Sequence, residues 1–206
     1  MAPSDLVVRP FRPADRDAVY DVCVRTADDG GDARGQLSTD DLPGDVFAGP
    51  YLALEPELCF VVDDGSRAVG YVLGTADTAR WAAAHAVRWL PAVAHRYPLV
   101  EPATTREEQW VGLLHHPEDL VHPGLADHPA HLHIDLLPQA QGQGVGRVLV
   151  RTFLTALRER GVPAVHLGVS PTNTGARAFY ARIGLRELAV DAPGVIYLGA
   201  PTDLVV

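Results

Sequence analysis

The fold is decided by one stretch, Leu136-Leu137-Pro138-Gln139-Ala140-Gln141-Gly142-Gln143-Gly144-Val145-Gly146-Arg147, in which an apolar strand runs into a glycine-rich turn and then into an amphipathic helix. The glycines occupy alternate positions, and without a Cβ they let the backbone come close to an anion. A helix that begins near Gly144 directs its free N–H groups and the positive end of its dipole at the same point. The stretch therefore predicts a phosphate-binding turn.

Two common kinds of phosphate-binding turn require residues that this chain lacks. A P-loop needs a lysine that reaches the β- and γ-phosphates, but all 17 basic residues here are arginine. A dinucleotide-binding fold needs G-x-G-x-x-G near its first strand and an acidic residue about 20 positions further on. This turn reads G-x-G-x-G, and the corresponding downstream residues are Gly161-Val162-Pro163-Ala164-Val165. The sequence thus excludes a Walker-type nucleotide hydrolase and disfavours a nicotinamide enzyme.

A second motif follows the turn at a set distance. The turn itself has the form Q-x-x-G-x-G over 141–146, and downstream come Val-Ser-Pro-Thr-Asn at 169–173 and Ala-Arg-Ala-Phe-Tyr-Ala-Arg-Ile-Gly-Leu at 176–185. In this order and separation, the two motifs resemble the GNAT superfamily of acyl-CoA-dependent N-acetyltransferases. A member of that superfamily would bind acetyl-CoA as its co-substrate.

The resemblance extends over nearly the whole chain. Residues 8–10 with Asp15, residues 59–62 with 70–75, and the stretch from Trp89 to Tyr97 are similar to the acetyltransferase-like C-terminal domain of the O-GlcNAcase family. The eukaryotic form of that domain lacks the glycine turn and is regarded as a relative that binds no cofactor. Because the turn is intact here, the resemblance implies a working cofactor site.

The implied fold is α/β (α+β), a single GNAT domain over residues 1–206 with a mixed central sheet of about six to seven strands flanked by helices. Residues 77–129 read as a helical insertion before the central strand, a candidate wall or lid for the acceptor site. Its tryptophans could instead anchor the inserted helices to the core. The expected strands are 6–9, 58–63, 68–75, 131–137, 165–169, 185–190 and 195–198, and the expected helices are 13–26, 46–54, 105–115, 145–160 and 173–184.

In the GNAT fold, acetyl-CoA lies in a V-shaped gap between two parting strands, which correspond here to 131–137 and 165–169. The resemblance implies that backbone groups near Ile134 and Leu136 bind the pantetheine arm and the thioester oxygen. The amides of 141–147 would hold the pyrophosphate, helped by the charge of Arg147 and of Arg151 one turn later. The implied cofactor-binding residues are Ile134, Leu136, Leu137, Gln141, Gly142, Gln143, Gly144, Val145, Gly146, Arg147, Asn173, Ala176 and Phe179.

Acyl transfer also needs groups that accept and donate protons. Tyr180 matches the tyrosine that protonates the departing thiolate in many members of the superfamily, although a buried core tyrosine is the alternative reading. Asp135 is the preferred base or water-positioning residue because it lies on the polar face of the central strand, formed by alternate residues from His131. It could instead be a buried, paired carboxylate. His133 is the reserve candidate for the base.

The composition of the chain limits the kinds of partner that we expect it to bind. The net charge of −9 and the lack of a basic stripe argue against nucleic acid. No apolar run approaches the roughly 18 residues of a membrane span, and no signal pattern opens the chain, so we expect a cytoplasmic protein that binds no membrane. The acidic residues between 28 and 45 could attract a cationic amine or form a solvated loop. The pair His131 and His133 lacks the further ligands that would predict a metal, and we expect none.

Three functions are compatible with these motifs. The favoured one is an acetyl-CoA-dependent N-acetyltransferase acting on the amine of a small molecule, protein or peptide, as a monomer or homodimer. The second is a sensor or pseudoenzyme that binds acetyl-CoA without turnover. The third, a nucleotide-binding protein of another kind, is disfavoured by Gln141 and by the segment from Asn173 to Tyr180.

Overall fold

A computed structural model describes residues 6–206, and its centre is one seven-stranded sheet with strand order β1-β2-β3-β4-β5-β7-β6. All neighbouring strands are antiparallel except β4 and β5, which are parallel. The prediction of a mixed sheet of six to seven strands is confirmed. The strands are β1 (Val7–Pro10), β2 (Phe60–Asp63), β3 (Ala68–Thr75), β4 (Ala130–Leu136), β5 (Ala164–Val169), β6 (Arg186–Glu187) and β7 (Ile196–Pro201).

Eight α-helices flank the sheet within residues 6–206. They are α1 (Arg16–Val24), α2 (Leu42–Phe47), α3 (Gly49–Leu54), α4 (Thr78–Ala84), α5 (Leu90–Val93), α6 (Arg106–His115), α7 (Val145–Glu159) and α8 (Thr174–Arg182). In this part of the chain, no helix has the length and apolar character needed to traverse a lipid bilayer.

Three predicted elements were wrong in extent. The single helix expected over 46–54 is two short helices, because Pro43 and Pro50 each lie in a first helical turn, where proline is tolerated. The helix expected from Pro13 begins as a 3₁₀ turn and becomes α-helical only at Arg16. The strand expected over 185–190 is only the two-residue β6.

Helix α7 covers one face of the sheet with a continuous apolar stripe. Leu149, Phe153 and Leu157 recur at helical spacing and are fully buried. Gly74 of β3 makes the close approach possible, since a Cβ at that position would collide with the ring of Phe153. The helix that follows the glycine-rich turn is therefore fixed against the central strands by direct packing.

The predicted insertion between β3 and β4 is helical and contains α4, α5 and α6. A buried carboxylate on α2, that of Asp45, ties it to the rest of the fold. The hydroxyls of Tyr20 and Tyr97 donate to this carboxylate at 2.9 and 2.6 Å, and Arg96 forms an ion pair with it at 2.8 Å. The indole of Trp89 donates to the backbone carbonyl of Asp45. One side chain thus joins α1, α2 and the insertion.

Replacement of Asp45 with alanine should destabilise the protein by about 3 kcal/mol, because two buried hydroxyls and a guanidinium lose their shared acceptor. The measurement is urea unfolding followed by circular dichroism. Asp41→Ala is the matched control, since Asp41 is exposed and lies one turn earlier in the chain. Equal midpoints for the two variants would contradict the role given to Asp45.

Candidate active site

The parallel strands β4 and β5 separate almost as soon as they meet. Their pairing is limited to Ala130 with Val165 and His131 with His166. Beyond that point the strands diverge, and a cavity of about 810 Å³ opens between them, lined also by the glycine-rich turn and by α8. The structure therefore has the V-shaped gap that the sequence predicts, between the two strands expected to form it.

The backbone of β4 presents unpaired groups to this gap. The N–H of Leu137 donates to the carbonyl of Val69 on the β3 side, at 2.9 Å. In an antiparallel pair, alternate residues direct both backbone groups to the same neighbour, so those of Ile134 and Leu136 face away from β3 and into the gap. The carbonyl of Leu136 accepts from the side chain of Gln141 at 2.8 Å. The N–H groups of Ile134 and Leu136 are left for a ligand.

Three residues expected to bind the cofactor do not line the cavity. Leu137 presents neither its N–H nor its side chain to the cavity, because the N–H is already bonded to β3 and the side chain is fully buried in the core. The side chain of Val145 is also buried, and that of Gln143 turns back to donate to the carbonyl of Gln139. Only the backbone amides of Val145 and Gln143 remain available.

The glycine-rich turn concentrates free amides at the start of α7. Gly142 and Gly144 have φ angles of 72° and 79°, a left-handed conformation that favours glycine. Within residues 6–206, none of the N–H groups of 142–146 donates a hydrogen bond. A Cβ on Gly146 would lie 3.3 Å from the side chains of both Leu136 and Phe179, so this glycine keeps the turn close to β4 and α8. The arrangement is an anion-binding nest.

Two arginines add positive charge to the lining of the cavity. Arg147 and Arg182 both line it, and neither forms an ion pair with another described residue. Arg151, expected to help Arg147, is exposed and does not reach the cavity. Sequence reasoning missed Arg182, because nothing in the motif distinguishes it from an ordinary basic residue in the last turn of a helix.

Helix α8 supplies the opposite wall. The side chain of Asn173 caps it by accepting from the N–H of Ala176 at 3.0 Å, so that amide is already bonded. Asn173, Ala176 and Phe179 all line the cavity, as expected. The cap fixes the first turn of α8 and with it the position of Tyr180, two turns further along.

Tyr180 is buried, lines the cavity, and its hydroxyl has no hydrogen-bond partner among the described residues. Burial and the nearby charge of Asp135 raise the pKa of Tyr180 well above its ordinary value. The phenol is therefore protonated at neutral pH and free to donate to a bound ligand.

Asp135 lies on the polar face of β4 and also lines the cavity. Its Oδ2 accepts from the hydroxyl of Tyr71 at 2.6 Å, across the β3–β4 ladder. Burial raises the pKa of Asp135 above its ordinary value, although the contact with Tyr71 opposes the shift. The Asp135 carboxyl therefore has a feature of each interpretation: it is paired with a buried hydroxyl, and it lines the cavity.

Aromatic side chains form the far end of the cavity. Phe47 and Trp110 meet edge to face, with ring centroids 5.3 Å apart. Trp110 comes from α6, so the insertion contributes to the wall. By contrast, Trp81 is buried and stacks on Tyr51 at 4.6 Å, while Trp89 packs in the cluster around α2. Trp81 and Trp89 thus anchor the insertion by packing, whereas Trp110 lines the cavity.

Asp29, one of the acidic residues between 28 and 45 that could attract a cationic amine, borders the cavity. Its backbone is left-handed, with φ of 50°, and its carboxylate accepts from the hydroxyl of Thr172, beyond β5. This contact links the loop after α1 to the loop before α8 across the rim of the cavity. It also adds negative charge near the aromatic end.

The pair His131 and His133 is bound to another side chain. Both Nε2 atoms contact the hydroxyl of Tyr51, at 2.6 and 3.1 Å. Among residues 6–206, no group of three or more His, Cys, Asp or Glu side chains is arranged to hold a metal ion.

The family model for the Acetyltransferase (GNAT) family matches residues 105–185. This range contains β4, the glycine-rich turn, α7, β5 and α8, which are the elements that enclose the cavity. The chain belongs to the GNAT acetyltransferase family.

This GNAT protein is similar to relatives of quite different length. It is 29% identical over 186 residues to protein O-GlcNAcase of Rattus norvegicus, which covers 88% of this chain and 20% of the relative. Over 64 residues it is 45% identical to mycothiol acetyltransferase of Thermomonospora curvata, covering 31% of this chain and 20% of the relative. The chain thus spans about a fifth of the length of these curated relatives.

A solved structure covers nearly all of this GNAT chain. The crystal structure of SsHAT has 55% sequence identity, covers 96% of this chain and 98% of its own, and superposes with a TM-score of 0.92. The similarity to the O-GlcNAcase acetyltransferase-like region, expected from the sequence, is confirmed.

The buried carboxyl of Asp135 gives a prediction on stability. Because its pKa is raised in the folded protein, ionisation of Asp135 disfavours folding, and the loss grows as the pH rises from the unfolded pKa through the folded one. Asp135→Asn keeps an oxygen for Tyr71 but cannot ionise. We expect this variant to gain stability over the wild type as the pH rises above about 4.

Urea unfolding at a series of pH values measures this difference. Asp127→Asn is the control, because Asp127 is exposed and its replacement should give no such pH-dependent gain. A gap between Asp135→Asn and the wild type that shrinks with rising pH would show that burial does not dominate at Asp135.

Proposed function

We propose that this protein is an acetyl-CoA-dependent N-acetyltransferase that transfers the acetyl group directly to an amine. The observation that carries the proposal is the gap between β4 and β5, which joins free backbone amides at the turn to a protonated tyrosine at α8. Membership of the GNAT acetyltransferase family supports acetyl transfer in general.

The pyrophosphate of acetyl-CoA would bind the amides of 142–146 at the start of α7. The free guanidinium groups of Arg147 and Arg182 would compensate its charge in a protein whose net charge is −9. The pantetheine arm would then extend along the open edge of β4. There the N–H of Leu136 is available for its amide groups, and that of Ile134 for the thioester oxygen. A donor at that oxygen typically contributes about 3 kcal/mol to lowering the barrier.

The two proton transfers would use residues on opposite sides of the gap. When the tetrahedral intermediate collapses, the carbon–sulfur bond breaks and Tyr180 donates its phenolic proton to the departing thiolate. The raised pKa of Tyr180 keeps that proton in place until the thiolate forms. Asp135, whose charge contributes to this shift, is proposed in the positioning role, where it orders water and holds Tyr180 protonated.

The acceptor would enter from the aromatic end of the cavity. An amine with an apolar group beside its nitrogen fits the edge-to-face pair Phe47 and Trp110. The carboxylate of Asp29 at the rim favours a cationic amine on approach. A small molecule and a protein or peptide amine both remain within this proposal, as do a monomer and a homodimer.

Removal of the two cavity arginines should weaken acetyl-CoA binding. Arg147→Gln and Arg182→Gln should each raise the dissociation constant about tenfold, and the effect should shrink at high salt because it is electrostatic. Isothermal titration calorimetry measures both constants. Arg151→Gln is the matched control, one turn along α7 and outside the cavity. If all three variants bind like the wild type, the pyrophosphate does not lie at this turn.

Removal of the phenolic hydroxyl at Tyr180 should slow turnover and leave binding intact. Tyr180→Phe should lower kcat about 10²-fold or more, with a small change in acetyl-CoA affinity, because the hydroxyl acts on the leaving thiolate. The readout is the release of free thiol from acetyl-CoA across a panel of amines. Tyr197→Phe, outside the cavity, is the control. An unchanged kcat in Tyr180→Phe would remove the acid role.

The same assay separates an enzyme from a sensor. If the wild type binds acetyl-CoA tightly but releases no thiol with any amine, then the alternative of a cofactor-binding pseudoenzyme replaces the proposal. If the wild type fails to bind acetyl-CoA at all, both are excluded.

A further inference from the structure

Four hydrogen-bonded side chains form a row, called the file below, that leads from the cavity into the protein interior: His133, Tyr51, His131 and Thr78. Nε2 of His133 lies 3.1 Å from the hydroxyl oxygen of Tyr51, and that oxygen lies 2.6 Å from Nε2 of His131. On the other side of its ring, Nδ1 of His131 lies 2.8 Å from Oγ1 of Thr78. The file ends at the backbone carbonyl of Pro129, which is 2.8 Å from the same Oγ1.

The carbonyl at the end sets the direction of every hydrogen bond in the file. A carbonyl can only accept, so the single hydroxyl hydrogen of Thr78 points to Pro129. Oγ1 of Thr78 must then accept from His131, whose proton is on Nδ1. The bare Nε2 of His131 accepts from Tyr51, and the hydroxyl oxygen of Tyr51 in turn accepts from His133. The proton of His133 is therefore on Nε2, and its Nδ1 carries an unshared lone pair.

The opposite direction is unfavourable at its inner end. It would turn the hydroxyl hydrogen of Thr78 to His131 and leave two oxygen lone pairs facing each other at 2.8 Å. The carbonyl of Pro129 cannot rotate away, because it also accepts the backbone N–H of Thr78, at 2.8 Å. The inner three members are buried, so no solvent can relieve the clash.

The lone pair on His133 opens on the cavity. Nδ1 of His133 has no hydrogen-bond partner among the described residues. It is not fully enclosed, since the fully buried side-chain nitrogens without a partner in this part of the chain are those of Trp81, His85 and His116. His133 lines the cavity and directly precedes Ile134, whose N–H faces the gap. Burial and His166 lower the pKa of His133 to about 4, so the imidazole is neutral at physiological pH.

We propose that His133 is the catalytic base, which accepts the proton of the attacking amine at Nδ1, and that Thr78, His131 and Tyr51 are positioning residues that fix its tautomer. This inference rests on the proposed function and names a residue for its remaining proton transfer. Asp135 is the less suitable base, because one of its oxygens already accepts from Tyr71 and its charge acts on Tyr180, the proposed donor to the thiolate.

The step balances without a further reactant. The cationic acceptor first loses its extra proton to water, and the lone pair of the neutral amine then forms the bond to the thioester carbon while an amine proton passes to Nδ1 of His133. The carbon–sulfur bond then breaks with its electron pair on sulfur, and the thiolate takes the proton of Tyr180. Water in the cavity returns one proton from the imidazolium to the phenolate. The products are an amide and free coenzyme thiol.

The tautomers can be measured directly in the free protein. Long-range ¹H–¹⁵N correlation spectra of histidine-labelled protein should show His131 protonated at Nδ1 and His133 at Nε2, with His133→Gln and His131→Gln giving the assignments. Tyr51→Phe should make His133 a mixture of tautomers, whereas Thr78→Ser, which keeps the hydroxyl, should leave it unchanged. A wild-type His133 protonated at Nδ1 would overturn the inference whatever the activity of the protein.

Kinetics test the catalytic role. His133→Ala should lower kcat about 10²-fold or more with little change in acetyl-CoA affinity, and added imidazole should restore part of the loss. His95→Ala, an exposed histidine in the insertion, is the control, and Tyr180→Phe should gain nothing from imidazole. A His133→Ala variant that folds, binds acetyl-CoA and keeps its kcat would overturn the inference while leaving the proposed function intact. Failure of the wild type to bind or turn over acetyl-CoA would instead count against the proposed function, and the tautomer spectra would still report on the file.

Discussion

The structure depends on the early end of parallel pairing between β4 and β5. Two buried strands of one sheet normally continue side by side, because each backbone N–H and carbonyl left unpaired away from water is unfavourable. Here the pairing stops after His131 and His166, and the sheet contains a wedge where its ladder would otherwise continue. Such a wedge is stable only if something other than a strand satisfies the exposed edge. The cavity is therefore a consequence of how the sheet is built. Any ligand that fills it must carry groups that form hydrogen bonds with the unpaired backbone of the strand edge.

The surrounding elements hold that wedge open. On one face, α7 packs on β3 through Phe153 at Gly74, and its first turn is set by Gly146 against Leu136. On the other face, the hydroxyl of Tyr71 and the file that begins at His133 fix the side chains of β4. Asp45 ties the insertion to α1 and α2, which keeps Trp110 at the far end. Closing the gap would require these packed contacts to break together, so we expect it to persist without ligand.

The sequence predicted this architecture where local chemistry is specific. The left-handed glycines 142 and 144, the capping residue Asn173 and the alternation along β4 all correspond to backbone requirements that few residue types satisfy. The sequence did not predict the features that depend on which distant residues come into contact in the fold. No local pattern indicates that the N–H of Leu137 donates to the carbonyl of Val69. Nor does any indicate that Arg182 and Asp29 reach the cavity from distant parts of the chain. The division of 46–54 into two helices is indicated by Pro50 alone, because proline favours the first turn of a helix over its interior.

The period of two along β4 explains how one strand could serve both substrates. Its backbone groups at Ile134 and Leu136 lie in the plane of the sheet and point into the gap, where a thioester arm would run. Its side chains at His133 and Asp135 stand perpendicular to that plane, on the face where Phe47 and Trp110 form the far wall. An amine entering from that face would therefore meet the thioester carbon at the strand itself, with His133 on the side of the attacking nitrogen. A shift of one residue in the register of β4 would exchange these sides and bury the histidine file under α7, so the ladder between β3 and β4 fixes the chemistry as well as the fold.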